Sequence, residues 1–345
     1  MQAMKAMVLE QFKQPMVWRD VPDPECGLQD VVIQVRANGL CATDLKVSDG
    51  AVSTVKLPLI PGHEVAGEVV EVGKDAGDLK SGDHIAVFPA LACDSCDACR
   101  NGAANICRHV LRTGFELDGG FSQYMRVRAR NAIKVGKGVP FDEASTINGA
   151  ISTGYHALVQ KARARAGETV LIVGVGGLGI HMAQIAKIMG ATVFAADIDP
   201  EKLRLAEDYG ADAVIDSRDQ NLPEAIRDLT DGDGVDIVAE CVGGHAVSGI
   251  LDDSIACLKV GGRLLVVGYA YGQSLNIDSA ALIYGQWSLI GTRASTIQDD
   301  VEVARLVESG RLKPVLSQRF PLEQANEALE KLSKSSPIGR MVLTS

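Results

Sequence analysis

Several features that would argue against an ordinary globular protein are missing from the sequence. It contains no low-complexity tract and no visible internal repeat, and 46% hydrophobic with 23% charged residues is the composition of a globular chain. The N-terminal segment MQAMKAMVLEQF lacks an apolar run followed by a small-residue cleavage site. We therefore expect no signal peptide and a cytoplasmic location.

Positive charge is also in short supply. The 34 lysine and arginine residues are outnumbered by 44 aspartate and glutamate residues, which gives a formal net charge of −10. This balance argues against nucleic acid or an anionic membrane as the main partner. The length of 345 residues suits two domains, each large enough to bury its own core.

Two hydrophobicity patterns divide the chain. Residues 1–150 alternate apolar and polar positions over short segments such as VVIQVRANG and EVAGEVVEVG, which predicts a small, partly open β-barrel. Residues 151–293 alternate strand and helix patterns, including a helix expected to begin at Ala246, which predicts a doubly wound parallel sheet. Residues 294–345 end in a closing strand, RMVLTS, and are assigned back to the first domain.

The segment TVLIVGVGGLGIHMAQIAKIMG organises the second region. Thr169 to Val173 is a β-branched apolar run typical of a buried parallel strand, and a helix pattern follows from Leu178 to Met189. The turn between them has the G-x-G-x-x-G spacing, which lets the backbone approach a pyrophosphate at the helix N terminus. The glycines in this spacing are Gly174, Gly176 and Gly179.

A second apolar strand, Ala191 to Ala196, ends in Asp197, 23 positions after Gly174. An acid at this point can accept hydrogen bonds from an adenosine ribose diol and repels a 2′-phosphate. Asp199 adds to this repulsion. The cofactor is therefore expected to be NAD rather than NADP.

Two other interpretations of this segment are weaker. Glycine-rich turns without a ligand are common, but here strand, turn, helix, strand and terminal acid occur together. A membrane span from Thr169 to Ala186 is opposed by four glycines, by the polar residues His181, Gln184 and Lys187, and by the matching strand that follows.

The most specific single motif is CDSCDACRNGAANIC, which forms a lobe at residues 93–107. Its C-x2-C-x2-C-x7-C spacing lets one loop enclose a tetrahedral ion with Cys93, Cys96, Cys99 and Cys107, and such a closed site is structural. Zinc is the expected metal, while an iron–sulfur centre and unmetallated thiols are the alternatives. This clustering fits a reducing compartment better than a disulfide framework.

A second set of potential ligands is dispersed. Cys41 lies in LCATDLK, and His63 and Glu64 lie in PGHEVAG. A thiolate and an imidazole brought together from two loops can hold a zinc ion that keeps one position open for substrate. The residues alone leave other interpretations open, because Cys41 also suits a buried core and a His-Glu pair is common on surfaces.

Together these motifs resemble those of the zinc-dependent alcohol dehydrogenases of the medium-chain dehydrogenase/reductase superfamily. The similarity extends from about Lys5 to Leu343 and includes the glycine turn, the cysteine lobe, C-x-T-D, G-H-E-x-x-G, GGFSQYMRV and STGYHAL. The resemblance implies a GroES-like catalytic domain (1–150 and 294–345) interrupted by an NAD-binding Rossmann domain (151–293).

The resemblance also implies roles around the dispersed set. Cys41 and His63 would bind a catalytic zinc ion, and Glu64 would act as a neighbouring or transient ligand. Asp44 would orient His63, which fixes the tautomer of the imidazole and raises its basicity. Thr43 would accept the hydrogen bond of the substrate hydroxyl and pass its proton toward the cofactor ribose.

The resemblance implies contacts to NAD from eleven residues, of which ten lie in the cofactor domain and one, Arg340, lies in the catalytic domain. Leu178 would pack behind the nicotinamide, Asp197 and Lys202 would contact the ribose, and Arg340 would contact the pyrophosphate. The full set is Thr153, Gly174, Gly176, Gly177, Leu178, Gly179, Asp197, Lys202, Val242, Val267 and Arg340.

Two positions depart from the family pattern. Gly149 stands where the family usually has its third catalytic zinc ligand, so Glu64, water or Asn148 would have to complete the shell, or the zinc is weakly held or absent. Lys46 stands where many relatives place the histidine that ends the proton relay. A lysine of ordinary pKa, about 10.4, is a poor base near neutral pH, so water or a Lys46 of lowered pKa is expected to finish the relay.

The expected function is NAD(H)-dependent interconversion of small or medium apolar alcohols with aldehydes or ketones. An alternative with the same fold is a reductase of carbonyls or activated double bonds without a tightly bound catalytic zinc. A remote alternative is a non-catalytic NAD-binding sensor. Assembly through the outer strand Leu289 to Thr292, into a homodimer or homotetramer, is the family expectation.

Overall fold

The computed structural model describes residues 3–244, 247–269, 272, 274–334 and 337–345. The chain divides into two compact units. The first unit is Met1–Ser152 with Ala294–Ser345, and the second unit is Thr153–Arg293.

The elements are as follows in chain order. The first unit opens with β1 (Ala3–Val8), β2 (Val17–Pro22), β3 (Asp30–Leu40), α1 (Ala42–Ser48), β4 (Glu64–Val72), β5 (His84–Val87), β6 (Ala90–Leu91), α2 (Asp97–Arg100), a 3₁₀ turn (Ala104–Ile106), β7 (Leu111–Arg112), β8 (Tyr124–Arg128), β9 (Ala132–Lys134), α3 (Phe141–Ser145) and a π-helical segment (Ile147–Ser152). The second unit comprises α4 (Thr153–Tyr155), a second π-helical segment (His156–Lys161), β10 (Thr169–Val173), α5 (Gly179–Ile188), β11 (Thr192–Asp197), α6 (Pro200–Asp208), β12 (Ala213–Asp216), α7 (Leu222–Leu229), β13 (Val235–Glu240), α8 (Val247–Ala256), β14 (Leu258–Val266), α9 (Ser279–Gly285) and β15 (Ser288–Gly291). The first unit is completed by α10 (Ile297–Glu308), β16 (Leu316–Pro321), α11 (Ala325–Lys334) and β17 (Arg340–Thr344).

The main sheet of the first unit is centred on β3. Its strand order is β16-β17-β3-β4-β5-β9, and β8 also pairs with β3. The alternation predicted for β3 is seen in the packing, because Val31, Ile33 and Val35 share one buried cluster. The register places Gly39 opposite Glu64, while β17 pairs with the same end of β3 from the other side. The first residues of β4 and β17 therefore flank the end of β3.

The second unit contains a six-stranded sheet in the order β12-β11-β10-β13-β14-β15, and every pairing in it is parallel. The prediction of a doubly wound parallel sheet is therefore confirmed. Successive strands are added on one side of β10 as far as β12 and on its other side from β13 onward, so the strand order reverses between β10 and β13. Ligands of such sheets bind at this switch point, outside the carboxyl ends of the strands.

Several boundaries differ from those predicted. Strand β14 begins at Leu258, four residues before the predicted GRLLVVGY, because Lys259, Gly261 and Gly262 resemble a turn in the sequence although they continue the strand. The helix α11 was not predicted, since its apolar positions are few among charged residues. Ala246, the predicted start of one helix, lies outside the described residues.

Among the described residues, no helix has both the length and the apolar character required to cross a bilayer. The apolar stretch from Thr169 to Ala186 is divided between β10 and α5.

Candidate functional site

The four cysteines of the lobe converge between β6 and β7. Their Sγ atoms lie 3.5 Å apart for Cys93–Cys107 and Cys96–Cys99, 3.8 Å for Cys96–Cys107 and 4.0 Å for Cys93–Cys99. A tetrahedral zinc ion with Zn–S bonds of about 2.3 Å places its sulfur atoms about 3.8 Å apart. All eight cysteines belong to the part of the chain that the structure describes, and none of them forms a disulfide there. The lobe therefore fits a structural zinc ion.

Crowding in the lobe also favours a bound cation. Partial burial and the three neighbouring cysteines raise the pKa of Cys99 to about 12, whereas hydrogen bonds from Ser95 lower the pKa of Cys93 to about 5. Four thiols this close cannot all lose their protons without a compensating charge. A metal ion supplies that charge and deprotonates coordinating thiols.

The dispersed set converges as well. Cys41 caps the N terminus of α1, His63 precedes β4, and Glu64 is the first residue of β4. One potential ligand atom of each residue lies within 4.8 Å of the other two. Both His63 and Glu64 are buried, while Cys41 is partly exposed. A thiolate, an imidazole and a carboxylate in this arrangement fit a zinc-type cation with an open position.

Asp44 links helix α1 to the imidazole. Its Oδ2 accepts a hydrogen bond from the Cys41 backbone N–H at 2.8 Å, and Cys41 Sγ accepts one from the Thr43 backbone N–H at 3.5 Å. The helix start is thus capped in both directions. The other oxygen, Oδ1, lies 3.0 Å from His63 Nδ1. This contact leaves Nε2 as the ring nitrogen that can bind a metal.

Glu64 forms a buried ion pair with Arg340, the first residue of β17. Arg340 Nε donates to Oε2 at 2.9 Å, and Nη2 donates to Oε1 at 2.5 Å. The two side chains meet across the end of β3, where a Cβ at Gly39 would lie 2.3 Å from Oε2. Gly39 therefore makes room for the pair. In the structure the Arg340 guanidinium is paired with Glu64. The predicted contact of Arg340 with a pyrophosphate stays a prediction.

These charges shift the ionisation of Cys41 and His63. Burial opposes ionisation of the Cys41 thiol, but the Arg340 guanidinium and a hydrogen bond with His63 outweigh it and lower its pKa. Burial also disfavours the charged imidazole, yet the Asp44 carboxylate raises the pKa of His63 well above its ordinary value. The thiolate is the form that binds metals, and cation binding would release the proton of His63.

The π-helical segment places Gly149 against Glu64. A Cβ at Gly149 would lie 2.0 Å from Glu64 Oε1. The neighbouring Asn148 points its amide nitrogen elsewhere, donating to the Val87 carbonyl at 3.0 Å and to Asp300 Oδ2 at 2.9 Å. The geometry therefore does not favour Asn148 as a metal ligand.

Asp300, in the first turn of α10, anchors this segment from the other side. Besides the bond from Asn148, its Oδ1 accepts a hydrogen bond from Ser295 Oγ at 2.7 Å. Burial raises the pKa of Asp300 to about 7, although hydrogen bonds from Ser295, Ser152 and Asn148 act in the opposite direction. Sequence reasoning missed this residue, because an acidic residue in a first helical turn is ordinary.

The two predicted relay residues both lie on α1. Thr43 Oγ1 is 3.5 Å from Cys41 Sγ, and Lys46 is in the last turn of the helix. Their roles in proton transfer stay predictions.

In the second unit, the glycine turn has the geometry of close backbone approach. Gly174 has a φ of 89°, a conformation that favours glycine, and a Cβ there would lie 2.6 Å from Val242 Cγ2. A Cβ at Gly179 would lie 1.9 Å from the Gly174 carbonyl oxygen. Because α5 begins at Gly179, with Leu178 as its N-cap, the unpaired N–H groups of the helix start at this turn. The turn can therefore receive a phosphate group.

Asp197 braces the same turn from the end of β11. Its Oδ2 accepts a hydrogen bond from the Val175 backbone N–H at 2.8 Å, and its Oδ1 accepts from Ile198 and Asp199 at 2.8 and 3.1 Å. Lys202 Nζ lies 4.0 Å from Oδ1. The carboxylate is therefore fixed beside the glycines, and its contact with a ribose stays a prediction.

Val242 and Val267 follow β13 and β14, and both are held by Glu240. Glu240 Oε1 accepts from the Val242 backbone N–H at 2.7 Å, and the Glu240 carbonyl accepts from the Val267 N–H at 3.0 Å. Sequence reasoning missed Glu240, although an acid inside the apolar run VDIVAECVG was an available signal. Thr153 is the first residue of α4. The cofactor contacts of Thr153 and both valines stay predictions.

Comparison with known proteins defines the class of this chain. A family model described as alcohol dehydrogenase GroES-like domain matches residues 27–137, and one described as zinc-binding dehydrogenase matches residues 177–309. The chain belongs to the zinc-type alcohol dehydrogenases of the medium-chain dehydrogenase/reductase superfamily. This confirms the expected combination of a GroES-like domain with a Rossmann-like sheet.

Individual relatives cover nearly the whole chain. This chain is 34% identical over 349 residues to an NAD-dependent alcohol dehydrogenase of Sulfolobus acidocaldarius, and the alignment covers 99% of each chain. The alcohol dehydrogenase structure from Aeropyrum pernix is similar with a TM-score of 0.90 and 32% identity, covering 99% of this chain and 100% of that one. An acryloyl-coenzyme A reductase of Sulfurisphaera tokodaii is 29% identical over 342 residues, again covering 99% of each.

Proposed function

We propose that the chain is an NAD(H)-dependent oxidoreductase that interconverts small or medium apolar alcohols with aldehydes or ketones. The observation that carries this function is the convergence of Cys41, His63 and Glu64 within 4.8 Å in a member of this family. The first unit supplies the metal and proton chemistry, and the glycine turn with Asp197 in the second unit supplies the cofactor site.

Cys41, His63 and Glu64 would hold zinc, which supplies Lewis-acid polarisation of a substrate oxygen when bound. NAD(H) at the glycine turn supplies the hydride acceptor or donor. Asp44 holds His63 Nδ1 and so directs Nε2 toward the metal site. Arg340 balances the charge of Glu64 and favours the Cys41 thiolate.

Proton transfer is assigned to helix α1. The Thr43 hydroxyl accepts the hydrogen bond of an alcohol substrate and passes the proton on, and water or Lys46 receives it. Lys46 can do so only if desolvation lowers its pKa from the ordinary range.

We also propose a cytoplasmic location and assembly into a homodimer or homotetramer. Eight thiols without a disulfide suit a reducing cytoplasm. Strand β15 lies at the end of its sheet, so its outer edge is available to pair with a second copy in a homodimer or homotetramer.

The test is a panel of alcohols and ketones assayed with NAD(H) and NADP(H), beside elemental analysis of the purified protein. The expected result is turnover of at least one alcohol, a preference for NAD, and two zinc ions per chain. Absence of turnover across the panel would favour the sensor alternative and contradict the proposed activity.

A second candidate is a reductase of carbonyls or activated double bonds that holds no catalytic zinc. Two observations favour it: Gly149 offers no ligand, and two relatives are named acryloyl-coenzyme A reductase. One zinc ion per chain, together with NADH-dependent reduction of an α,β-unsaturated thioester, would select this function over the first.

A further inference from the structure

We infer that Gly149 determines the ligand set of the candidate metal site, because its missing side chain lets the Glu64 carboxylate occupy the space where a third ligand at position 149 would begin. This role rests on the proposed function, since it concerns the same metal. The absence of a ligand at position 149 is then not a gap in the site. It is the condition under which Glu64 becomes the third donor.

The contact between Gly149 and Glu64 leaves no room for a side chain. A Cβ at position 149 would lie 2.0 Å from Oε1, 2.6 Å from Cδ and 2.8 Å from Cγ of Glu64. All three distances are far shorter than carbon–carbon or carbon–oxygen contacts in folded proteins, which are about 3.5–4.0 Å at their optimum. Even an alanine would therefore require the carboxylate to move.

Glu64 has little freedom to move away. Arg340 holds both of its oxygens, and Gly39 lies against Oε2 on the side of β3. The residue is 0% exposed. Displacing the carboxylate would break a bidentate ion pair in a buried place, which is costly because one charge is left unpaired.

The oxygen nearest Gly149 is also a suitable donor. Oε1 accepts one hydrogen bond from Arg340 Nη2, and a carboxylate oxygen has a further lone pair. The resulting set contains one thiolate, one imidazole and one carboxylate, instead of the two sulfurs that a cysteine at position 149 would give. Carboxylate oxygen is an established zinc ligand in catalytic sites that keep an open position.

The backbone that carries Gly149 is held independently of the metal. Asn148 bridges the Val87 carbonyl and Asp300, so the π-helical segment is tied to both β5 and α10. The position of Gly149 is therefore set by the fold. A side chain introduced there would press on Glu64 and would not simply displace the segment.

The test is the zinc content and zinc affinity of Gly149→Ala beside Gly138→Ala. Gly138 is a matched control in the same unit, because a Cβ there would meet nothing within 4 Å. Wild type and Gly138→Ala are expected to hold two zinc ions per chain. Gly149→Ala is expected to keep the lobe zinc, which reports that the chain is folded, and to bind the second zinc at least about tenfold more weakly in competition with a chromophoric chelator.

A second variant covers the case in which Gly149→Ala does not fold. Glu64→Gln keeps the size of the side chain and an oxygen for Arg340, but loses the charged donor, so the same loss of the second zinc is expected. Two tightly held zinc ions in Gly149→Ala or in Glu64→Gln would overturn the role of Gly149 while leaving the proposed activity intact. A single zinc ion in the wild type would overturn the proposed catalytic metal as well.

Discussion

The two cysteine-containing clusters of the first unit are built in opposite ways. The lobe takes four identical donors from the 15 residues 93–107 of one loop. The second cluster takes three different donors from α1 and the start of β4, and its carboxylate is held by Arg340, 276 positions further along the chain. The lobe depends on local spacing, whereas the second cluster depends on the register of β3 with β4 and β17.

Because of this difference, we expect the lobe to contribute to the stability of the fold and the second cluster to contribute to the reaction. Four thiolates around one ion leave no open position, so the lobe can only hold the fold together. The second cluster offers three donors, so a zinc ion bound there would keep one position open, and its buried charges balance one another. Substitutions should therefore affect metal binding, stability and activity differently in the two clusters.

The largest effect is expected for Arg340→Met. Removing the guanidinium leaves the Glu64 carboxylate buried and unpaired, which should lower the free energy of unfolding by about 3–5 kcal/mol in urea denaturation. The matched control is Lys334→Ala, which removes the exposed ion pair between Lys334 and Glu330 and should cost less than about 0.5 kcal/mol. Equal losses in the two variants would contradict the buried pair.

A pH-dependent effect is expected from Asp300. Burial raises its pKa from 3.8 to about 7, so the folded chain keeps a proton that the unfolded chain releases between these values. The contribution of Asp300 to the free energy of unfolding is therefore fully present below pH 3.8. It is lost as the pH rises from 3.8 through 7, by at most about 4 kcal/mol.

The comparison of wild type with Asp300→Asn isolates this contribution. Urea denaturation at pH 5 and pH 8 should show that wild type loses more stability over this interval than the variant does. Parallel pH profiles for the two proteins would show that Asp300 is ionised throughout.

A smaller effect is expected for Asp44→Asn, which removes the negative partner of His63. The second zinc should bind about 10–100-fold more weakly, and kcat/KM should fall with it, because the partner of a metal-binding histidine fixes its orientation and basicity. The lobe zinc serves as the internal control. Unchanged affinity for the second zinc would show that the contact between Asp44 and His63 does not support a ligand.

The smallest effect on the chemistry is expected for Cys99→Ser. This change should remove the lobe zinc and lower the melting temperature by about 2–4 °C for each kcal/mol lost, while kcat/KM of the folded enzyme changes little. Cys26→Ser, outside both clusters, is the control and should keep both metals. A normal melting temperature with unaltered zinc content would contradict a structural role for the lobe.

The same contrast explains what could be predicted from the sequence. The lobe and the glycine turn were found because their spacing within about 15 residues is itself the signal. The pairing of Glu64 with Arg340 could not be found, since it arises from strand register between distant segments. The sequence shows that Gly149 departs from the family pattern, but only the π-helical segment shows that the Glu64 side chain fills its place.

The two metal sites can be tested most directly by crystallography of the zinc-loaded protein, with anomalous data collected at the zinc edge. We expect two anomalous peaks in each chain, one among the four lobe sulfurs and one bounded by Cys41 Sγ, His63 Nε2 and a carboxylate oxygen of Glu64. A peak at the lobe alone, or a second peak without Glu64 beside it, would contradict this expectation.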